Sequence, residues 1–302
     1  MKIGFIGLGK MGSRMCLRLL EKKHKLVLYA RHPSSMNLLV EKGATGTQNY
    51  AEFAKKLGKN KIILLMVPHG SAVDEVLSSL LPFLQKGDII IDAGNSHYKD
   101  SIKRGKELAS KGIDFLDAGT SGGLEGARNG ASIMVGGSKS TFKKCEPIFK
   151  ALAVKNGYGY MGQGGCGHFV KMVHNGMEYS LMQSYGEGYE LLAKGPYKLD
   201  LREVTRVYKN GSVIRSWLVD LLSDALKKDP ELKSQSGIVG GGSTGSWTLE
   251  AAREFDSKMP MLELAMDARQ ESFKKQGFAT KVVAALRFGF GGHEAPKKGG
   301  EK

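Results

Sequence analysis

The chain has 302 residues, 41% of them hydrophobic and 25% charged, which is typical of a globular enzyme with room for two domains. Its net charge of +15 favours anionic partners, but the basic residues are scattered and form no arm with interleaved aromatics, so nucleic acid is not expected as a partner. The three cysteines have no metal-ligand spacing, and neither a disulfide framework nor a metal site is expected. The sequence has no signal segment and no membrane-spanning apolar run, so we expect a cytoplasmic protein without membrane contact.

The first motif is a glycine-rich turn between a short apolar strand at residues 2–6 and a helical pattern that extends to about residue 23. Gly7 permits a tight turn, Gly9 lets the backbone approach a pyrophosphate, and Gly12 permits close packing of helix on strand. The helix N-terminus adds N–H donors and a positive dipole end. The residues predicted to bind a dinucleotide here are Gly7, Leu8, Gly9, Lys10, Met11 and Gly12.

The second predicted strand, residues 25–29, ends where a dinucleotide places its adenosine ribose. An NAD site usually offers a carboxylate at this point, and none follows this strand. Arg31 could instead pair with the 2′-phosphate of NADP. The sequence therefore favours NADP, with NAD still open; the alternative for Arg31 is an exposed loop arginine.

Strands and helices continue to alternate, with strands predicted at residues 61–67, 88–92, 114–117, 131–135 and 157–160. The carboxyl ends of such strands are where open α/β sheets bind ligands. At the first of these exits we predict cofactor contacts from Met66, Val67 and Pro68. Asn95, after the next strand, could contact cofactor or substrate, or be a plain turn residue. Residues 119–127 are predicted to be a loop that captures a carboxylate or phosphate, or else a flexible connector.

A glycine-dense joint at residues 162–167 sets the predicted domain boundary. We predict an α/β Rossmann-type dinucleotide-binding domain at residues 1–164, and an all-helical substrate and oligomerisation domain at residues 165–293. A long helix at residues 167–193 opens the second domain, and residues 294–302 are predicted to be a disordered tail. The other predicted helices cover residues 201–208, 214–227, 230–236, 261–275 and 280–287, and residues 240–247 are predicted to be a glycine-rich loop, either flexible or facing a phosphate.

The long helix carries a polar stripe made of Lys171, His174, Asn175, Glu178 and Tyr179. At 100° per residue these five side chains fall within an arc of roughly 140°. A solvated helix face is the simpler interpretation of any such stripe. This one holds a possible base, a possible acid, an imidazole, an amide and a phenol. The glycine turn, the Asn95 turn and the Ser121 segment supply the cofactor and substrate walls that such a stripe would face, and they favour an active site.

These motifs together resemble 6-phosphogluconate dehydrogenase over nearly the whole chain, in a compact form. The resemblance rests on the glycine turn, residues 90–96, residues 121–127 and, most specifically, residues 167–179. The wider β-hydroxyacid dehydrogenase superfamily shares the glycine turn, the Ser-Gly-Gly segment and a lysine like Lys171. The pairs His174-Asn175 and Glu178-Tyr179 are similar to the phosphogluconate branch.

The resemblance implies oxidative decarboxylation of 6-phosphogluconate to ribulose 5-phosphate and CO2, with hydride transfer to a nicotinamide. It implies Lys171 as general base, Glu178 as general acid, and His174 and Asn175 as groups that orient the lysine and the hydroxyls. The substrate-binding residues that it implies are Asn95, Ser121, Gly122, Gly123, Tyr179, Thr244, Arg269, Arg287 and His293.

Arg269 resembles the family's phosphate-binding arginine, and Arg287 with His293 resembles a C-terminal pair that enters the site of a partner subunit. A homodimer or higher homo-oligomer is therefore implied. The chain departs from the family in residues 240–247, which lack both lysines of the family's Lys-Gly-Thr-Gly-Lys-Trp loop, although Thr244 keeps a hydroxyl.

Two other functions stay open at this point. One is a β-hydroxyacid dehydrogenase or reductase that does not decarboxylate and uses a smaller or unphosphorylated acid. The other is a binding module that keeps the fold without catalysis, against which the Lys171 and Glu178 pair argues.

Overall fold

The computed structural model describes residues 1–293, and the predicted disordered tail at residues 294–302 lies outside them. The chain forms two compact units, one from Met1 to Met172 and the other from Val173 onward. The division falls inside a long helix. The predicted domain boundary after residue 164 stays a prediction.

The first unit is built on an eight-stranded sheet with the strand order β3-β2-β1-β4-β5-β6-β7-β8. The strands are β1 Lys2–Ile6, β2 Lys25–Tyr29, β3 Thr45–Thr47, β4 Ile62–Leu65, β5 Ile89–Asp92, β6 Asp114–Ser121, β7 Ala131–Gly137 and β8 Ala153–Gly162. Neighbouring strands are parallel, apart from the antiparallel pair β6 and β7. The order reverses between β1 and β4, as in doubly wound dinucleotide-binding folds, and confirms the predicted fold class.

Helices cover both faces of this sheet. They are α1 Lys10–Glu21, α2 Asn37–Glu41, α3 Tyr50–Leu57, α4 Ser71–Leu80, α5 Tyr98–Ala109, α6 Gly123–Asn129 and α7 Lys139–Leu152, with short 3₁₀ turns at Pro33–Ser35 and Leu81–Phe83. Side chains along a strand alternate between the two layers: in β4, Leu64 packs into one apolar cluster, whereas Ile63 and Leu65 pack into the other. A parallel sheet buried on both faces explains why its strands read as continuous apolar runs.

The reversal at β7 determines where the chain leaves the sheet. Asp117 in β6 is level with Asp92, the last residue of β5, and also pairs with Gly136 near the end of β7. Gly136 pairs in turn with Gly162, the last residue of β8. The chain therefore leaves β8 at the height of the carboxyl end of β5, and the helix α8, Cys166–Lys194, begins there.

The described part of the second unit is helical, as predicted. After α8, which continues into it, come α9 Leu201–Lys209, α10 Trp217–Lys228, α11 Ser243–Glu254, α12 Pro260–Glu271 and α13 Phe278–Gly291. Its core packs apolar residues of α8, α10 and α13, among them Met182, Leu222, Leu226, Val282 and Leu286. Within residues 1–293, no helix is both long enough and apolar enough to cross a bilayer.

Two predicted segments of the second unit differ from the structure. Residues 230–236, predicted to be helical, form turns instead, because the Asp229 carboxylate accepts hydrogen bonds from both the backbone N–H and the hydroxyl of Ser234. Leu232 there has a positive φ of 49°, which a helix does not allow. The predicted loop at residues 240–247 ends early, because α11 begins at Ser243.

Candidate active site

The glycine turn after β1 has the geometry that a dinucleotide needs. Gly7 has a φ of +100°, and a β-carbon there would overlap the carbonyl of Met66, while a β-carbon at Gly12 would overlap the carbonyl of Gly7. A β-carbon at Gly9 would meet nothing within 4 Å, so this turn has an open side. The first turn of α1 has no side-chain cap and no acidic residue. Its N–H groups and dipole end suit a pyrophosphate.

The segment after β2, where a dinucleotide would place its adenosine ribose, is basic and aromatic. Arg31 follows β2 and is exposed, and no carboxylate occurs between Ala30 and Ser35. Tyr29 stacks on Tyr50 with ring centroids 4.0 Å apart. Burial, followed by the hydrogen bond with Tyr29, raises the pKa of Tyr50, and the charge of Arg31 opposes that rise.

A buried carboxylate shapes the turn at the end of β5. Asp92 accepts the backbone N–H of Gly94 at 3.0 Å on one oxygen and the hydroxyl of Ser96 at 2.7 Å on the other. A β-carbon at Gly94 would lie 2.8 Å from the carbonyl oxygen of Val67, so the turn also packs tightly against the exit of β4. Asn95 is exposed at the tip of this turn, where a ligand can reach it.

Arg104 of α5 contacts both α4 and the end of β5. Its guanidinium donates to both carboxylate oxygens of Asp74, at 2.7 and 3.1 Å, and to the carbonyl of Gly70 at 3.0 Å. Its Nη1 lies 3.9 Å from Asp92. Arg104 therefore links α4 and the β4 exit to the turn after β5.

The predicted loop at residues 119–127 is largely ordered structure. β6 extends to Ser121, and Gly122, with a φ of +121°, leads directly into α6. That φ favours glycine, and the chain reverses sharply here before α6 and the antiparallel strand β7. The segment is therefore the end of a strand, a one-residue turn and the start of a helix, not the loop predicted from its glycines.

The first turn of α8 is fixed to β6. The buried carboxylate of Asp117 accepts the backbone N–H of Gly165 at 2.7 Å and that of His168 at 2.8 Å. Lys171, one turn further along, is 8% exposed. A β-carbon at Gly119 would overlap the β-carbon of Lys171, so the lysine stem passes directly over the backbone of β6.

Further along α8, His174, Asn175 and Glu178 interact with one another. Nδ1 of His174 is 3.1 Å from Oδ1 of Asn175 and 3.7 Å from Oε2 of Glu178. Because both partner atoms are acceptors, we assign the proton to Nδ1. In the neutral ring, Nε2 is then an acceptor for a hydroxyl group.

A cationic cluster lies in the second unit. The guanidinium of Arg269 stacks on the ring of Tyr179, 3.9 Å from the centroid, and donates to the carbonyl of Gly240 at 3.2 Å. Burial lowers the pKa of Arg269. Burial, followed by the charge of Arg269, lowers the pKa of Arg287 to about 10. A buried arginine whose charge is disfavoured by a second buried arginine marks a place where an anion would be stabilised.

The glycine segment before α11 lies against this cluster. A β-carbon at Gly241 would be 3.2 Å from Nη2 of Arg287, and one at Gly242 would be 3.7 Å from Cδ of Arg269. Gly242 begins α11 without a side-chain cap, and Thr244 is buried in its first turn. The two arginines and the N-terminus of α11 therefore lie together.

Comparison with known proteins agrees with these features. Residues 2–175 match the NAD binding domain of 6-phosphogluconate dehydrogenase, and residues 167–196 match the C-terminal domain of the same enzyme. The chain is 46% identical to YqeC of Bacillus subtilis, to which this activity is attributed provisionally, over 99% of the chain and 100% of that protein.

The chain belongs to the 6-phosphogluconate dehydrogenase family.

Two further members show the range of this family. The chain is 41% identical to the NAD(+)-dependent, decarboxylating 6-phosphogluconate dehydrogenase of Haloferax volcanii, over 99% of both chains. The solved structure of Plasmodium falciparum 6-phosphogluconate dehydrogenase superposes with a TM-score of 0.82 at 34% identity, covering 90% of this chain and 62% of that one. Family membership confirms the resemblance that the motifs indicated.

Within the family framework, the structure brings the predicted site residues together in groups. Gly7–Gly12 lies beside Met66, and Lys171 lies on β6. His174, Asn175 and Glu178 form a second group, and Tyr179, Arg269 and Arg287 a third. His293 is exposed, with its ring 6.0 Å from that of Phe290. No group of three potential metal ligands occurs within residues 1–293, and the expectation of no metal stays a prediction.

The sequence did not reveal four supporting residues: Asp92, Arg104, Asp117 and His168. Asp92 ends an apolar strand, and Asp117 lies within another. An aspartate in such a position predicts a buried carboxylate with hydrogen-bond partners. Arg104 and His168 gave no such signal, because each lies in a helix where a polar residue is ordinarily solvated.

Proposed function

We propose that this chain performs the NAD(P)-dependent oxidative decarboxylation of 6-phosphogluconate, with Lys171 and Glu178 of α8 as its proton-transfer groups. The observation that carries the proposal is the cluster of Arg269, Arg287 and Tyr179 beside the N-terminus of α11. A small unphosphorylated acid has no second anionic group that such a cluster could bind.

Lys171 acts as the base. It takes the proton of the C3 hydroxyl. A nicotinamide cofactor held by the Gly7–Gly12 turn would supply the acceptor for the C3 hydride. The stem of Lys171 is fixed over β6, and its side chain is almost wholly buried, which restricts its contact with water. The 3-keto group then accepts the electron pair left when the carboxylate departs as CO2.

Glu178 donates the proton that C1 of the resulting enediol requires. Seven residues separate it from Lys171, which corresponds to about 10 Å along a helix, a distance that a short sugar acid can bridge. The neighbouring His174 keeps Nδ1 directed at Asn175, so Nε2 accepts from a substrate hydroxyl and orients it. Asn95, Ser121, Gly122 and Gly123 are proposed to hold the carboxylate end, and Thr244 and His293 to contact the phosphate end.

The missing lysines of residues 240–247 are replaced in this proposal by other positive groups. The N-terminal N–H groups of α11 adjoin both arginines, and they present a positive dipole end to the same place. Arg269 and Arg287 supply two guanidiniums for bidentate contacts with the phosphate.

The test of function is an assay of purified protein with 6-phosphogluconate, following cofactor reduction and CO2 release together. We expect the two products in equal amounts. Cofactor reduction without CO2 would favour a non-decarboxylating β-hydroxyacid dehydrogenase, and absence of both would reject the proposal. Inorganic phosphate should compete with the substrate but not with the cofactor.

For the cofactor, we propose NADP in preference to NAD. Arg31 is exposed at the end of β2, and no acid is present there to bind a 2′-hydroxyl. The relatives named above include an NAD(+)-dependent enzyme and one solved with NADP+. Arg31→Ala should lower kcat/KM for NADP and leave that for NAD nearly unchanged; an equal loss for both would argue against the assignment.

We also propose a homodimer or higher homo-oligomer, with residues 1–164 as the dinucleotide-binding domain and residues 165–293 as the substrate and oligomerisation domain. Large apolar side chains on the second unit are exposed, including Leu181, Leu191, Tyr197, Val213 and Leu264. A second copy of the chain is the occupant that the family resemblance favours. Light scattering on the purified protein tests this proposal, and a monomer at assay concentrations would reject it.

A further inference from the structure

His168 is a buried histidine outside the polar stripe of α8. Its side chain is 1% exposed and lies in the first turn of the helix, three residues before Lys171. Its Nε2 is 3.1 Å from the carbonyl oxygen of Gly94, and its Nδ1 is 2.7 Å from the hydroxyl of Ser101. Its backbone N–H donates to Asp117.

The protons of this arrangement can be assigned. The carbonyl of Gly94 can only accept, so Nε2 of His168 carries the proton and donates it. In the neutral ring Nδ1 is then the acceptor. The hydroxyl of Ser101 donates to it at 2.7 Å, in preference to the carbonyl of His97 at 3.3 Å. Each polar atom of the imidazole thus has one partner, and the ring has one orientation.

We propose that His168 is a positioning residue that holds the Gly94–Asn95 turn at a fixed distance from the first turn of α8, and hence from Lys171. The turn is held on one side by Asp92, through the N–H of Gly94, and on the other by His168, through the carbonyl of the same residue. The inference rests on the proposed function, in which Asn95 and Lys171 contact the same substrate.

The close packing around His168 makes this link rigid. A β-carbon at Gly167 would overlap the carbonyl of Asp117, so backbone packs on backbone where α8 begins. Ser101 belongs to α5, the same helix whose Arg104 reaches Asp92 and Asp74. A small shift of the Gly94 carbonyl is therefore opposed from both sides, and without the imidazole one of the two anchors is lost.

The experiment compares His168→Leu with His168→Gln, using 6-phosphogluconate with hydrogen or deuterium at C3. Leucine removes the donor to Gly94, whereas glutamine can place an N–H near the position of Nε2. We expect His168→Leu to lower kcat/KM by about 10- to 100-fold, the range for a small misplacement of reacting groups. Its isotope effect should rise, because hydride transfer becomes slower than the other steps. His168→Gln should recover most of the lost kcat/KM and return the isotope effect close to the wild-type value.

Thr141→Val is the matched control. The buried hydroxyl of Thr141 donates to Asp114 at 2.9 Å, at the far end of β6 from Ser121. Its loss should reduce stability without changing the isotope effect. If His168→Leu does not fold, Ser101→Ala replaces it and should shift the isotope effect in the same direction by less.

The outcomes separate the two proposals. Wild-type protein that does not turn over 6-phosphogluconate would reject the proposed function. Active wild type together with wild-type kcat/KM and isotope effect in His168→Leu, or in Ser101→Ala where that variant is needed, would reject the role of His168.

Discussion

Arg287 carries its charge at a cost to folding stability. Folding lowers its pKa to about 10, chiefly through burial and then through the charge of Arg269. A base whose pKa is lowered by folding destabilises the fold at every pH below the folded pKa, and the penalty is relieved as the pH rises from about 10 towards the ordinary pKa of arginine. At neutral pH the penalty is therefore complete, and an anion that binds there should offset it.

The corresponding prediction concerns Arg287→Met, which keeps most of the aliphatic stem. Without anions at neutral pH, we expect its melting temperature to exceed that of wild type by about 2 °C or more, the change that ~1 kcal/mol gives in a chain of this size. Added phosphate should stabilise wild type and have little effect on the variant. Thermal unfolding with and without phosphate measures both. A variant that is less stable than wild type and equally sensitive to phosphate would contradict the anion site.

Lys171 provides the second prediction at this scale. Lys171→Ala should lower kcat by about 10²- to 10⁴-fold, the usual contribution of a positioned base, while the cofactor still binds. Lys103→Ala is the control, because the Lys103 side chain is 77% exposed in α5. Steady-state kinetics and cofactor titration test the pair. Full activity of Lys171→Ala would remove the base assignment.

The sequence revealed the polar stripe of α8 because helical periodicity places residues 171, 174, 175 and 178 on one side. It could not reveal that His168, on the same helix, is buried and bonded to Gly94. That contact joins residues far apart in the chain, and its formation depends on sheet register. The arginine pair was predicted only through family resemblance, since nothing local distinguishes Arg269 or Arg287 from a surface cation.

At the level of elements, the start of α8 depends on Asp117. Its two carboxylate oxygens each accept one backbone N–H, from Gly165 and His168. Charged acceptors at a helix N-terminus give stronger hydrogen bonds than neutral ones and also interact with the helix dipole. An amide in the same position would present an NH2 group to one of these N–H donors.

We therefore expect Asp117→Asn to lower the free energy of unfolding by about 2 kcal/mol, as for other hydrogen bonds to charged groups. It should also lower kcat/KM, because the same turn precedes Lys171. Asn49→Ala removes the cap of α3, where the side chain accepts the N–H of Glu52, and should cost about 1 kcal/mol. Its kcat/KM should stay at the wild-type value. Denaturant unfolding and kinetics on both variants provide the test, and equal kinetic effects would argue against a specific role for the α8 cap.

Glycine-rich segments account for most of the errors in the predicted helices and loops. Residues 119–127 and 240–247 were predicted to be loops, yet a helix begins within each, at Gly123 and at Ser243. In both places the residue before the helix is a glycine with positive φ, which starts the helix without a side-chain cap. Sequence patterns detect side-chain caps more readily than such backbone starts.

At the scale of the whole molecule, the alternation of strands and helices followed by helices alone predicted the two-part fold. What it could not show was the reversal of β7, because strand direction depends on pairing between distant residues. The sequence also cannot show which subunit supplies each residue of an active site in an oligomer. Resemblance to the family predicts that Arg287 enters a partner's site, whereas in the structure it lies beside Arg269 of its own chain.

A mixing experiment distinguishes these two arrangements. Arg269→Met and Arg287→Met are each expected to have weak substrate binding, and the two variants are unfolded and refolded together. If each site used the two arginines from different subunits, mixed dimers would restore about one quarter of wild-type activity, since half of the dimers would be mixed and each would have one complete site. The contacts within one chain favour no recovery. Recovery to about one quarter would show that Arg287 completes the site of the partner subunit.

The pairing of β6 with β7 has a consequence for anyone who wishes to redesign this enzyme. The height at which α8 begins follows from which residues of β6, β7 and β8 stand opposite one another, with Asp117, Gly136 and Gly162 in one row. Exchange of the residues that touch substrate can alter chemistry, but it cannot lengthen or shorten the span between Lys171 and the end of β5. To accommodate a longer acid, the strands themselves must be edited in steps of two residues, because a step of one would turn every side chain to the opposite face of the sheet.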